Sequence, residues 1–536
     1  MRTIILLLLV FCNSLYSKSS SNSSTSGNQT ENYKSNLKGL LDENGNSIFS
    51  LSGTDSLIKI TGEAGGNYFG FSVSSAGDIN MDGYSDVIVG AYGYNDITGR
   101  AYIFYGGSFM DYTADVTMTG ETISNRYGYS VSSAGDVNGD GYSDVIVGAH
   151  SAYINNTGRA YIYYGGSSMD NIADITMTGG AVSNFFGYSV SSAGDVNKDG
   201  YSDVIVGAYG YSGSSTGRAY IYFGGSSMDN VADITMTGGA TGNYFGFSVS
   251  SAGDVNGDGY SDVITGAYGY SGSTGRTYIY FGGSSMDNVA DITMTGEATA
   301  NYFGYSVSTA GDVNGDGYSD VITGAFGYSN NFGRVYIFYG GSSMNNAADI
   351  TITGDTRSIG FGRSVSRVGD VNGDGYSDVI AGAYGYSNNT GRAYIYYGAS
   401  SMDNVADVTM TGEAESNNFG CSVSSAGDVN GNGYSDVIIG AYWYNSYTGR
   451  AYLSINNKPL PELTYPINGS INNPTIVNFK WRKFDSAIYY ILEVSTNSAF
   501  NNIIFKDTLY SDTSRTVSGF QKESMYYWRV KANKSS

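Results

Sequence analysis

Seven short segments of this 536-residue chain carry one arrangement of oxygen-bearing side chains. In the first, Asp78, Asn80, Asp82 and Asp86 hold positions one, three, five and nine, with Gly83 at six and Tyr84 at seven. The set recurs as Asp136, Asn138, Asp140, Tyr142 and Asp144, and as Asp195, Asn197, Asp199, Tyr201 and Asp203. It returns as Asp254, Asn256, Asp258, Tyr260 and Asp262, and as Asp312, Asn314, Asp316, Tyr318 and Asp320. The sixth copy is Asp370, Asn372, Asp374, Tyr376 and Asp378; the seventh is Asp428, Asn430, Asn432, Tyr434 and Asp436. Calcium takes six to eight oxygens with loose geometry. Side-chain oxygens at one, three and five, a Tyr carbonyl at seven and a carboxylate at nine supply such a shell. Glycine at six permits the sharp bend. No Glu stands at position twelve and the flanks are β-rich, so the loop is not a complete EF-hand. Asp, Asn and Gly also make ordinary turns, but turn-making alone does not ask for Asp at position nine in every copy. The expectation is up to seven structural calcium ions. The seventh loop, with Asn432 in place of an aspartate, is expected to bind most weakly.

The same loops explain the charge. Six of them hold three carboxylates and the seventh two, against a formal net charge of −21. The acidity therefore needs no basic partner, and the absence of a basic cluster excludes a nucleic-acid surface. Of the two cysteines, Cys12 falls in a leader and Cys421 stands alone, so no internal disulfide is expected. The leader, a positive start followed by Ile4 to Phe11, reads as a secretory signal peptide over 1–17 and is too short to span a bilayer. Residues 18–52 form a Ser/Asn-rich linker of low complexity. A secreted or cell-surface setting follows, with no transmembrane segment.

Elements that position the loops can be read from the second copy. Strand A, Tyr127 to Gly135, is built of small residues. The acidic loop follows, then strand B, Val145 to Ala149, wholly apolar as a strand buried on both faces is. Strand C starts at Arg159 and alternates aromatic with aliphatic residues; strand D, Ala173 to Gly179, alternates polar with apolar. Strands A, B and C occur seven times, but the seventh C strand lacks a D after it. A D-like segment, Ser56 to Gly62, instead precedes the first A strand. A ring in which this N-terminal strand completes the last sheet leaves no exposed edge. The chain is therefore read as all-β, with a seven-bladed β-propeller over 53–456. Antiparallel order puts the acidic A–B loops on one face and the B–C loops, which vary in length and sequence, on the other.

The array resembles the FG-GAP repeats of integrin α-subunit propellers, on Phe69-Gly70 with Gly90-Ala91, Phe245-Gly246 with Gly266-Ala267, and Phe303-Gly304 with Gly324-Ala325. The residue after Gly-Ala is Tyr92 or an equivalent where the family usually has Pro. The resemblance implies a calcium-binding extracellular scaffold for adhesion or ligand binding. Residues 457–536 resemble an incomplete fibronectin type III β-sandwich, with Trp481 as a core tryptophan and Tyr526 at the tyrosine-corner spacing from Phe520; the last strand of such a domain is expected beyond Ser536. Tyr94, Tyr153, Tyr211, Tyr270, Tyr328, Tyr386, Trp443 and Tyr444 lie in or near the B–C loops and form a possible ligand face, either for a protein or, by stacking on sugar rings, for a glycan. The alternative for each tyrosine is packing between blades. No nucleophile motif or spare carboxylate pair is evident, and the single histidine, His150, replaces a repeated aromatic, so no enzyme is expected. The alternatives to an adhesion scaffold are a calcium-stabilised lectin and the non-catalytic part of a larger secreted enzyme. The propeller is expected to be monomeric.

Overall fold

A computed structural model describes residues 56–534, apart from 153, 212–214, 356, 457–462, 466–475, 482–486, 498–502, 510–512 and 522–525. The leader and linker readings lie outside the described residues.

Seven four-stranded antiparallel sheets follow one another as the repeats dictate. In the first, strand A is Ser72–Gly77, B is Asp86–Ala91, C is Arg100–Phe104 and D is Val116–Thr119. Every residue of strand B is buried in all seven sheets, as expected of a strand covered on both faces. Strand D alternates buried with half-buried or exposed positions, as a rim strand does. The seventh sheet is completed by Ser56–Thr61, which pairs antiparallel with the last C strand, Arg450–Ile455. Its register sets Leu57 opposite Ser454 and Ile60 opposite Ala451.

The core lies between blades rather than inside them. One cluster joins Ile88 and Ile103 of the first blade to Val145, Val147 and Tyr161 of the second. Each repeat inserts an aromatic wedge, such as Phe186 or Phe245, both 1% exposed. Fully burying one such side chain is worth roughly 1.5–3 kcal/mol. The wedge also makes a parallel bridge to the preceding blade, as in Gly158 with Phe186, and Phe69 with Gly449 closes the series into a ring. The glycine of strand B permits this approach. A Cβ at Gly90 would lie 2.0 Å from the Gly128 carbonyl oxygen of the next blade.

The C-terminal residues form two three-stranded sheets around Val477, Phe479, Trp481, Leu492, Phe520 and Trp528. The Tyr526 hydroxyl accepts the Gln521 N–H at 2.9 Å, bonding back to backbone a few residues upstream. No helix among the described residues is long and apolar enough to cross a membrane.

Candidate functional site

The acidic loops form a continuous ring on one face. The N–H of Ser143 donates to the Asp78 carbonyl, Ser202 to Asp136, and Ser261 to Asp195, and the pattern runs on until Ser85 donates to Asp428 at 3.0 Å. A second link comes from each C–D loop, as when Gly166 donates to the Ile79 carbonyl at 2.9 Å. Each loop is thus held by its own blade and by the next.

Inside a loop the side chains do two different jobs. In the first, Asp78 accepts the N–H groups of Asp82 and Gly83 at 3.1 and 2.9 Å, and Asn80 accepts the Asp82 N–H at 2.9 Å. The Asn80 amide donates to the Asp82 carboxylate at 3.0 Å. Gly83, at φ +93°, takes the left-handed bend that brings its N–H back to Asp78. Positions one, three and five therefore share one solvent-facing turn.

Position nine faces the interior. Asp86 is fully buried; its Oδ2 accepts the Ile79 N–H and its Oδ1 the Gly106 N–H, both at 2.8 Å. The other six copies repeat the first bond at 2.8–3.0 Å and the second at 2.7–2.9 Å. The ninth aspartate staples the A–B loop to the end of strand C. Two buried backbone donors thus supply a reason for Asp at this place that needs no metal, which the sequence reading did not foresee. Among the described residues no group of three or more His, Cys, Asp or Glu is gathered closely enough to hold a metal ion.

The chemistry of the donor set nonetheless fits a hard cation. All side-chain donors are oxygens, and in the first loop each Asp82 oxygen accepts one hydrogen bond and keeps a further lone pair. Burial pushes the Asp86 carboxyl up to about 7, and the Asp82 and Asp78 charges push it the same way. Burial also raises Asp78, to which Asp82 adds. A cation would relieve this mutual repulsion. The seventh loop differs: the Asn430 and Asn432 amides both donate to the Asn456 carbonyl, and the Asn456 amide reaches the Val371 carbonyl at 2.6 Å. Substituting Asn432 for aspartate ties that loop to the chain leaving the propeller.

On the opposite face, the tyrosines of the B–C loops are not bare platforms. Tyr94, Tyr211, Tyr270, Tyr328, Tyr386 and Tyr444 each lie under the guanidinium that opens strand C of the same blade, at 3.5–3.8 Å. Such contacts contribute roughly 0.5–1 kcal/mol at exposed sites. Four of the seven arginines that open strand C also pair with a glutamate following strand D of the preceding blade, as Arg334 does with Glu297 at 2.9 Å. Packing is thus within a blade, by an arginine, rather than between blades. Tyr153 lies outside the described residues. Trp443 packs edge-on against Tyr442 and Tyr447, with centroids 5.9 and 5.3 Å apart.

Nearer the axis the same face carries an aromatic arc that the sequence reading missed. Phe71, Tyr129, Tyr188, Phe247 and Tyr305 stand just ahead of or at the start of strand A, and successive centroids are 4.6–4.9 Å apart. Arg363 and Cys421 take the two remaining places. His150 packs against Tyr129 at 4.2 Å and is buried. The signal was the residue after Phe-Gly in each repeat, which the repeat alignment contains but which only the ring brings together.

The FG-GAP repeat pattern matches residues 69–104, 127–163, 186–222, 245–280, 303–338, 361–396 and 419–454. The chain is 31% identical over 215 residues to integrin alpha-5 of Xenopus laevis, covering 38% of this chain and 20% of the relative. It is 32% identical over 248 residues to integrin alpha-V of Gallus gallus, covering 43% and 23%, and 30% identical over 235 residues to integrin alpha-8 of the same species, covering 40% and 22%. The match thus spans about a fifth of the length of these relatives. Among solved structures the Dos1 propeller aligns at TM-score 0.38 and 9% identity over 69% of this chain and 74% of its own, too weak to add to the fold argument. Seven repeats, seven blades and the integrin alpha relatives together make this chain an FG-GAP repeat protein with an integrin-α-like β-propeller.

Proposed function

We propose that the chain is a secreted or cell-surface, non-catalytic scaffold for adhesion or ligand binding, with calcium held in its acidic loops for stability. The observation that carries this reading is the division of labour between faces. Seven like loops are chained into one ring on one face, while the loops on the other differ in length, sequence and side-chain lining. Each ion would be held by the carboxylates at positions one, five and nine, the Asn oxygen at three and the Tyr carbonyl at seven, with Asn432 substituting at five in the seventh loop. Calcium there supplies neutralisation and cross-linking of the loop ring. The integrin alpha relatives support the adhesion class. The domain order proposed is a signal peptide over 1–17, a linker over 18–52, the propeller over 53–456 and a fibronectin type III-like module over 457–536. The sandwich of two sheets and the Tyr526 hydroxyl bond support the last. The partner is an extracellular protein or matrix glycan, and the propeller acts as a monomer.

Calorimetric titration of calcium into the chelated protein, with melting followed in EDTA and in calcium, tests the metal reading. Uptake of several ions and a melt lowered by tens of degrees in EDTA are expected. An unchanged melt with no calcium uptake refutes the metal assignment and leaves the ninth-position staple as the whole explanation of the loop.

A further inference from the structure

The C-terminal module buries a face that its own sandwich leaves outside. Its strand Ala487–Ser495 runs between Ile503–Leu509 and Tyr527–Lys534. Successive side chains of a strand point to opposite faces. Tyr490, Leu492 and Val494 fill the sandwich core, so Ile491, Glu493 and Ser495 belong to the outer face of the sheet. Yet Ile491 and Glu493 are each 3% exposed, and Ser495 is fully buried. Glu493 lies opposite Lys506 on one neighbouring strand and Arg529 on the other, and pairs with them at 3.5 and 2.7 Å. One carboxylate between two cations leaves this part of the face with a surplus positive charge.

The acidic ring is covered at the matching place. Position five is exposed in the first five loops, at Asp82, Asp140, Asp199, Asp258 and Asp316, but partly covered at Asp374 and Asn432. Position four is exposed in the same five loops, whereas Gly373 is buried and Gly431 half-buried. A Cβ on Gly375, at position six of the sixth loop, would meet the Lys506 ammonium at 3.4 Å. Burial raises the Asp428 carboxyl at the head of the seventh loop, and backbone hydrogen bonds and the Arg529 charge pull it back. The module therefore rests its cationic face on the sixth and seventh loops. The seventh is already tied to the departing chain through Asn432 and Asn456. The sixth keeps the full ligand set of Asp370, Asn372, Asp374, Tyr376 and Asp378.

From this arrangement we propose that the docked module and a calcium ion exclude one another at the sixth loop, so that calcium entering there releases the module from the ring. The proposal rests on the calcium reading above. A calcium shell of six to eight oxygens takes what the loop does not supply from solvent, on the side that the module covers. Lys506 carries donors only, so it cannot complete the shell, and its charge repels the ion. Without the ion, the same ammonium offsets the loop carboxylates. Release leaves Glu493 with both of its cations, because they stand on its own sheet. Polar contacts between domains permit relative motion, and the bonds from Asn456 to the seventh loop keep the tether in place.

The test uses the full chain, chelated and then titrated with calcium, with ions counted by equilibrium dialysis and shape followed by small-angle X-ray scattering. The first ions should bind with the compact shape kept. Uptake of a further, weaker ion should raise the radius of gyration by about 1–2 Å. Lys506→Gln should tighten that ion at least fivefold and move the expansion to lower calcium, with the other ions unchanged. Asp374→Asn, which copies the seventh loop, should weaken it at least tenfold and move the expansion to higher calcium. Melts of both variants in chelator check that they fold. Calcium uptake without a change of shape, an expanded shape already present in chelator, or Lys506→Gln binding every ion as the wild type does overturns the proposal and leaves the calcium reading standing. No calcium uptake at any loop overturns both.

Discussion

Asp203 offers the sharpest test of how the acidic loops work, because its carboxylate sits at the loop-to-strand staple. It is fully buried, and its two oxygens accept the Val196 and Gly224 N–H groups, each at 2.8 Å. Asp203→Ala leaves both donors unpaired in the interior, and each such donor costs about 1–3 kcal/mol. Burial also lifts the Asp203 carboxyl to about 7, so relief of that penalty offsets part of the loss. A net cost of about 2–4 kcal/mol in chelator is expected, at the lower end of the two-donor sum. Asp199, at position five of the same loop, accepts the Tyr201 N–H at 3.0 Å from a solvent-facing turn. Water replaces that acceptor, so Asp199→Ala should cost less than about 1 kcal/mol in chelator. Urea unfolding in EDTA and in calcium, followed by circular dichroism, separates the two. In EDTA the ninth-position variant is far weaker than the fifth-position one; in calcium the gap narrows, because both lose an ion ligand. Equal costs in EDTA would show that the staple is not what demands aspartate at position nine.

Three further outcomes are expected. His150 is held neutral by burial, and by Arg126 beside it, with its pKa lowered to about 3 from 6.5. The unfolded chain then binds the extra proton, so stability is lost as pH falls from about 6.5 toward 3, at about 1.4 kcal/mol per unit. His150→Tyr, the residue type of Tyr92 and Tyr209, removes that slope; melts of the two proteins that differ by a constant from pH 7.5 to 4.5 would contradict it. Arg334 and Arg218 both stack on a tyrosine and donate to a threonine, but Arg334 also pairs with Glu297, whose place in the blade preceding Arg218 is taken by Gly180. Truncation of Arg334 to Ala should exceed that of Arg218 by about 0.2–1 kcal/mol in low salt, with the difference shrinking at high salt. Ile60, 2% exposed on the closing strand, should cost about 2–4 kcal/mol as Ala and promote oligomers by loosening the seventh sheet, as gel filtration and urea melts would show.

Much of the architecture was legible because a repeat makes counting possible. Strands A to C occur seven times and D six, and Ser56–Thr61 was the segment that could supply the missing strand; its pairing with Arg450–Ile455 follows from that count. The face assignment followed as well, because strand alternation alone decides which loops share an end. The roles of individual side chains were less legible. Position nine read as a ligand by spacing; that Asp86 also accepts the N–H of Gly106, twenty residues on, could not be read, because a linear pattern carries no side-chain direction. The B–C tyrosines looked free because the arginine above each is six or seven residues away, beyond the loop, as Arg100 is from Tyr94.

Periodicity and residue type alone determined the seven sheets, the ring closure and the oxygen-rich turns, since these depend on local alternation and on leaving no strand edge open. Tertiary structure alone decided which atoms from the first and last repeats meet: Val73 with Ser422, and Ser85 with Asp428. Those meetings arise where seven strands converge on one axis, and convergence is a property of the closed ring that no single repeat contains.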